Sequence, residues 1–135
     1  MGGERVVFNN LEIKPGKRVE VKGYIPEDCK DFSVNLGKDE NNLILHANAR
    51  FDFRNDKRVL ACNSLKDCEW GEEVIMDIFP FQLGTEISLS LTFDTEKVNM
   101  IFSTGEEISF PVRFELDMIN YVALRGLIFR CLTSE

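Results

Sequence analysis

The chain has 135 residues, is 44% hydrophobic and carries a formal charge of −7. That length suits one domain, 1–135, with a real core, and the acidic balance argues against sequence-independent nucleic-acid binding and against anionic membrane surfaces. No stretch approaches the roughly twenty apolar residues that span a bilayer, so no membrane insertion is expected.

The first ten residues lack the apolar run of a secretory signal, and Val6 stands where N-myristoylation needs Ser or Thr. Cytoplasmic synthesis with reduced thiols is therefore expected. Cys29, Cys62, Cys68 and Cys131 show no CxxC spacing, and with one histidine they make no metal site. Most are expected as small core filling, with Cys68 exposed and oxidisable.

Short alternating segments then follow one another between turn signals. Turns are expected at Lys14–Gly16, Pro26–Asp28, Asn55–Asp56, Leu83–Gly84 and Ser103–Gly105. Val19–Gly23 alternates apolar and polar residues; Phe32, Val34 and Leu36 alternate with Ser33 and Asn35. In Asn41–Arg50, Leu43 and Leu45 are assigned to one face and Ile44, His46, Asn48 and Arg50 to the other. Arg58–Asn63 reads as the next strand, with Asn63 near its end. Ile87–Phe93, Val98–Phe102, Ile108–Phe110 and Leu127–Cys131 complete the series. Arg113–Asn120 is expected to hold one short helical turn. The pattern is all-β, and the simplest architecture is a two-sheet antiparallel β-sandwich.

One strand face stands out. His46, Asn48 and Arg50 are two residues apart, so they project together, and they offer a ring nitrogen, an amide and a guanidinium. Hydroxyl groups, which donate and accept at once, match that inventory. Trp70, the only tryptophan, follows in the polar run Lys66–Gly71, which favours a partly exposed ring, and Glu73 adds an acceptor. An aromatic plane beside such a row describes a sugar site. Glu73 is expected to pair with Arg50, and Glu72 to face solvent. Glycoside hydrolysis needs two carboxyl groups flanking the bond, and the motif supplies one. No phosphate loop, catalytic triad order or cofactor motif is present.

At these positions the chain resembles the galectins, β-galactoside-binding lectins. The family pattern His-x-Asn-Pro-Arg, then Asn, then Trp-Gly-x-Glu is matched by His46, Asn48, Arg50, Asn63, Trp70, Gly71 and Glu73. Asn35–Asp39, Cys62–Ser64, Phe79–Gln82, Thr92–Asp94, Phe110–Pro111 and Ile119–Tyr121 are also similar to prototype galectins. Ala49 stands where the family usually has Pro, and Ile75 where many members have Arg. The resemblance implies a jelly roll and a non-enzymatic lectin with no cofactor. It further implies that His46, Asn48 and Arg50 hold the axial galactose O4. Asn63 and Glu73 would read O6, Glu73 with Arg50 would reach the second sugar, and Trp70 would stack on the C–H face. Implied partners are β-galactoside glycans of glycoproteins or glycolipids and a second copy of the chain, paired through its terminal strands. Export by a signal-independent route is implied as well. The alternative is a galectin-like structural or protein-interaction module that has lost sugar affinity.

Overall fold

The computed structural model describes residues 4–135, so what rests on Met1–Gly3 lies outside the described residues. Those described form strands β1 (Glu4–Phe8), β2 (Arg18–Ile25), β3 (Asp31–Asp39), β4 (Asn42–Phe53), β5 (Asp56–Lys66), β6 (Glu69–Trp70), β7 (Val74–Ile75), β8 (Thr85–Phe93), β9 (Lys97–Phe102), β10 (Glu107–Pro111) and β11 (Tyr121–Ser134). No helix occurs among them, and none is long and apolar enough to cross a membrane.

All pairings are antiparallel and follow one path, β10-β9-β8-β2-β11-β3-β4-β5-β6, with β1 beside β11 and β7 beside β5. The path folds into two sheets at β11. Tyr121–Arg125 pair with β3, whereas Ile128–Ser134 pair with β2. Gly126 lies between these halves at φ 89°, a conformation that side chains with a Cβ rarely adopt. A Cβ there would also sit 2.6 Å from the Asp31 carbonyl oxygen. The bend is thus reserved for glycine, and it lays one sheet over the other.

The apolar positions of the alternating strands meet between the sheets. Val19, Val21, Leu89, Leu91 and Met100 come from one sheet, and Val34, Leu36, Ala47, Ala49 and Leu60 from the other, all buried. Phe81 closes one end, meeting Phe32, Phe79 and Phe102 edge-on at 5.1, 5.2 and 5.2 Å, geometries that aromatic quadrupoles favour. Phe51, the neighbour of Arg50, joins this layer through Phe79 at 5.0 Å.

Three local expectations are corrected. Residues 112–120 hold no helical turn. Val112, Phe114, Leu116 and Met118 are half-buried while Arg113, Glu115 and Asp117 are exposed, so the segment runs extended across the sandwich with a period of two. Second, Ile44 does not share the face of His46. The β4–β5 register shifts between Leu43 and His46, and Ile44 and Leu45 both enter the core. Leu43 instead joins Leu65, Tyr121 and Ala123 on the opposite surface. A β-bulge accounts for this, since one extra residue moves everything before it to the other face. Third, the strand expected at Arg58–Asn63 continues to Lys66, so Asn63 is not at its end.

Gly126→Ala should cost about 2 kcal/mol or more, because positive φ and a backbone clash act together. Urea unfolding of the native protein and the variant measures it; equal midpoints would show that the bend tolerates a side chain.

Candidate functional site

The outer face of the sheet containing β4 is built from register partners. His46 stands opposite Asn35 of β3 and Asn63 of β5, Asn48 opposite Ser33, and Arg50 opposite Asp31. Each expected residue on β4 therefore has a polar neighbour across the ladder.

His46 Nδ1 lies 2.5 Å from Asn35 Oδ1. An amide oxygen only accepts, so the proton sits on Nδ1 and Nε2 is left as an acceptor. Burial, then the charges of Arg125 and Arg50, push the His46 pKa down to about 4, so the ring is neutral at pH 7. Asn48 is used at both ends. Its Nδ2 donates to Asp31 Oδ2 at 2.9 Å and to the Phe32 carbonyl at 3.0 Å, and its Oδ1 accepts from Arg50 Nε at 2.7 Å. Burial alone would raise the Asp31 pKa, but hydrogen bonds from Arg125 and Asn48 lower it overall. The exposed Arg125 forms an ion pair with the buried Asp31.

Arg50 is gripped from two sides. Nη2 donates to Glu73 Oε1 at 2.7 Å, and Nη1 donates to Glu73 Oε2 at 3.4 Å and to Asp56 Oδ2 at 2.8 Å. The bond to Glu73, partly offset by burial, and then that to Asp56 raise the Arg50 pKa above its ordinary value. With Nε on Asn48, four of the five guanidinium N–H groups are engaged, which leaves one on Nη2.

Asn63 is oriented by Arg113, whose Nη1 donates to Asn63 Oδ1 at 3.0 Å and to Ser64 Oγ at 3.1 Å. Arg113 Nη2 donates to the Glu72 carbonyl at 2.7 Å, and its guanidinium lies 4.7 Å over the Phe110 ring. Asn63 Nδ2 donates to the Gly71 carbonyl at 3.0 Å, keeping one N–H in reserve. Gly71 fits against this network because it lacks a Cβ, which would sit 2.6 Å from Arg113 Nη1.

Trp70 is placed by a turn. Asp67 and Cys68 both have positive φ, 49° and 68°, the conformation of a two-residue hairpin loop. The turn is fastened to the β3–β4 turn, with Cys68 N donating to the Asn41 carbonyl and Asp67 N to Asn42 Oδ1. Trp70 then pairs with Leu65, is 54% exposed, and has its ring centroid 4.8 Å from that of His46.

The six expected residues thus come together on one face. Together they offer an acceptor on His46, single donors on Arg50 and Asn63, acceptors on Glu73 and an open aromatic plane. A hydroxyl set between His46 Nε2 and Arg50 Nη2 can donate and accept at once. Cys68 and Cys131 are exposed, whereas burial raises the thiols of Cys29 and Cys62 to about 11 and about 12. Among the described residues, no group of three or more His, Cys, Asp or Glu could hold a metal ion. The sequence reading missed Asp31, Asn35, Asp56, Arg113 and Arg125 as supports. Asn35 was within reach of the alternation Phe32-Ser33-Val34-Asn35, which predicts a second polar face beside His46. Asp56 opens β5 just after the turn and Arg113 lies in the misread extended segment, where no local signal pointed to the site.

The profile of the galactoside-binding lectin family matches residues 6–129. The chain is 46% identical over 130 residues to galectin-1 of Rhinella arenarum, covering 96% of this chain and 97% of that one. It superposes with a TM-score of 0.95 on toad ovary galectin in complex with thio-digalactose, at 45% identity, covering 98% and 99% of the two chains. It superposes with a TM-score of 0.95 on CG-16, a homodimeric agglutinin from chicken liver, at 38% identity, covering 98% and 100%.

The His46 ring sets a pH dependence. The unfolded ring takes up a proton as pH falls through 6.5, while the folded ring resists until about 4. Between those values the unfolded chain binds more protons, so stability is full above 6.5 and declines as pH drops toward 4. The loss attributable to His46 should be at most about 3 kcal/mol. Urea unfolding at pH 7 and pH 5, for the native protein and His46→Gln, isolates it; parallel losses in both would remove His46 as the cause.

Proposed function

The chain belongs to the galactoside-binding lectin family, the galectins; it binds β-galactosides, and on that premise we propose that the polar face of β4 and β5 is the sugar site. His46, Asn48, Arg50, Asn63, Trp70 and Glu73 are the contacts. The carrying observation is the fixed acceptor on His46 Nε2 beside a single remaining donor on Arg50, next to the open plane of Trp70. Galactose O4 is axial, so it points from the sugar toward the sheet when the opposite C–H face stacks on the indole. O4 then donates to His46 Nε2 and accepts from Arg50 Nη2, with Asn48 fixing the guanidinium through Nε. Glucose carries the same hydroxyl equatorially and would leave both groups unpaired, a penalty that underlies discrimination. O6 lies toward Asn63 Nδ2 and Glu73.

The protein acts by binding and not by catalysis. Both carboxylates beside the site, Glu73 and Asp56, accept from one guanidinium, whereas a general acid must donate. Residues 1–135 serve as a single carbohydrate-recognition domain, a reading supported by the core the two sheets share. A shallow, solvent-open site binds weakly, so two sites per particle raise the avidity. The homodimeric chicken agglutinin supports a two-fold pair. The surface proposed for it is β1 with the second half of β11, where Val6, Val7 and Phe8 are half-buried and Ile128 is exposed. Such a dimer cross-links glycans of glycoproteins or glycolipids.

Retention on lactose–agarose and elution by free lactose test the site. Trp70→Ala should abolish retention, at a cost of about 2 kcal/mol or more in binding, while thermal stability stays close to native because the ring is exposed. A variant that unfolds but still binds in its folded fraction would make Trp70 a core residue. Native protein that passes through the column would favour an interaction module without sugar affinity.

Ile75 is 52% exposed and pairs with Ala61, itself opposite Asn48, so it lies on the site's face two residues after Glu73. It supplies no donor, and Glu73 depends on Arg50 for its recorded hydrogen bonds. Ile75→Arg should improve lactose binding by about 1 kcal/mol and leave methyl galactoside unchanged. Calorimetry with both sugars decides; an equal gain for both would show that Ile75 does not govern the second-sugar position.

A further inference from the structure

Among the described residues, Asp31 is the one charged residue that the fold buries, at 9% exposure. A carboxylate taken out of water is costly unless it is paired and hydrogen-bonded. Such pairs add little stability, since apolar side chains of similar volume often serve as well or better. Asp31 is the register partner of Arg50 and lies on the polar face, yet it is none of the proposed sugar contacts. Its cost therefore calls for a role that neither the core nor a direct ligand contact supplies.

That role is visible in what Asp31 bonds. One oxygen, Oδ2, accepts from both Asn48 Nδ2, at 2.9 Å, and Arg125 Nη2. Asn48 is 4% exposed, and its second N–H goes to the Phe32 carbonyl at 3.0 Å. The bonds from Arg125 and Asn48 outweigh burial and hold the Asp31 carboxyl below its ordinary range, so it is ionised at pH 7. An ionised carboxylate accepts and never donates. Asn48 must therefore turn its nitrogen toward Asp31 and its oxygen toward Arg50, where Oδ1 accepts from Nε at 2.7 Å. A guanidinium is planar, so fixing Nε beside Glu73 and Asp56 also fixes where the remaining N–H on Nη2 points.

We propose that Asp31, held by Arg125, is a positioning residue for sugar binding, acting through Asn48 to aim Arg50 at the axial hydroxyl. The proposal rests on the galactoside reading above. It makes affinity depend on a side chain one bond removed from every contact residue. With Asp31 gone, one Asn48 N–H loses its partner, and water that enters in its place donates as readily as it accepts. The direction of the amide is then enforced from fewer sides, and the Arg50 plane loosens with it.

Lactose affinity of the native protein, Asp31→Ala and Asp31→Asn is measured by calorimetry. The side-chain N–H signals of Asn48, Arg50 and Asn63 are followed by NMR in the sugar-free proteins. Asp31→Ala should bind lactose about fivefold more weakly, the scale of one net hydrogen bond. Its Asn48 amide and Arg50 Nε–H signals should shift and exchange faster with solvent. Asn63, held separately by Gly71 and Arg113, should keep its native signals. Asp31→Asn retains an acceptor oxygen in the same shape and should recover part of the affinity. If Asp31→Ala does not fold, Asp31→Asn carries the same readouts with smaller displacements; failure of both to fold would make Asp31 structural and overturn the proposal. Native protein that does not bind lactose would overturn the sugar site and this inference with it. Native lactose binding overturns the inference alone if the folded variants bind as tightly, if they bind more weakly with the Asn48 and Arg50 signals unmoved, or if the Asn63 signals move equally.

Discussion

The polar face depends on the guanidinium of Arg50. A charge on a half-buried sheet surface is costly unless its donors are matched, and here Asn48, Asp56 and Glu73 share four of them. The matching also runs in reverse. Arg50 fixes which way the Asn48 amide points, and Asn48 in turn spends its N–H groups on Asp31 and the Phe32 carbonyl. Glu73 belongs to the segment between β6 and β7, and its grip on Arg50 ties that segment back to the middle of the sheet. The site is assembled by hydrogen bonds that also hold three stretches of chain together.

The precision of this surface comes from the side of the sheet that faces inward. Ala47, Ala49 and Phe51 interleave with His46, Asn48 and Arg50 and are buried against the second sheet and the phenylalanine layer. Because side chains alternate strictly along a strand, packing the apolar set fixes the direction of the polar set. Ala49, in a position where a proline could have stood, is completely buried and faces Phe32 and Leu60 across the ladders. The substitution therefore falls on the core side and leaves the polar row in register.

Much of this was legible in the chain itself. A period of two over Phe32–Leu36, Ile87–Phe93 and Val98–Phe102 announced the strands, and the triad on β4 announced the face. What escaped has physical causes. The bulge at Ile44–Leu45 is produced by pairing with neighbouring strands, and a run of three apolar residues carries no sign of which one is extra. The segment after Pro111 alternates as cleanly as any strand, yet it pairs in no ladder, and a short helical turn was expected there instead. Arg125 reaches Asp31 across 94 residues of chain, and Arg113 reaches Asn63 and Ser64 across 50 and 49; separations of that size leave no local pattern.

The bend at Gly126 bears on the order in which the molecule can be made. Because β11 contributes to both sheets, it adjoins β1 and β3 on one side of the bend and β2 on the other. All three neighbours lie in the first 39 residues, while β11 begins at Tyr121. A growing chain therefore carries β1 with no partner, and β2 and β3 each with one edge open, until the residues from Tyr121 onward have been synthesised. Closing contacts over that distance is slow, and open edges invite pairing with other chains. Completion is thereby deferred until β11 itself emerges, and the same strand that joins the two layers acts as the gatekeeper of their maturation.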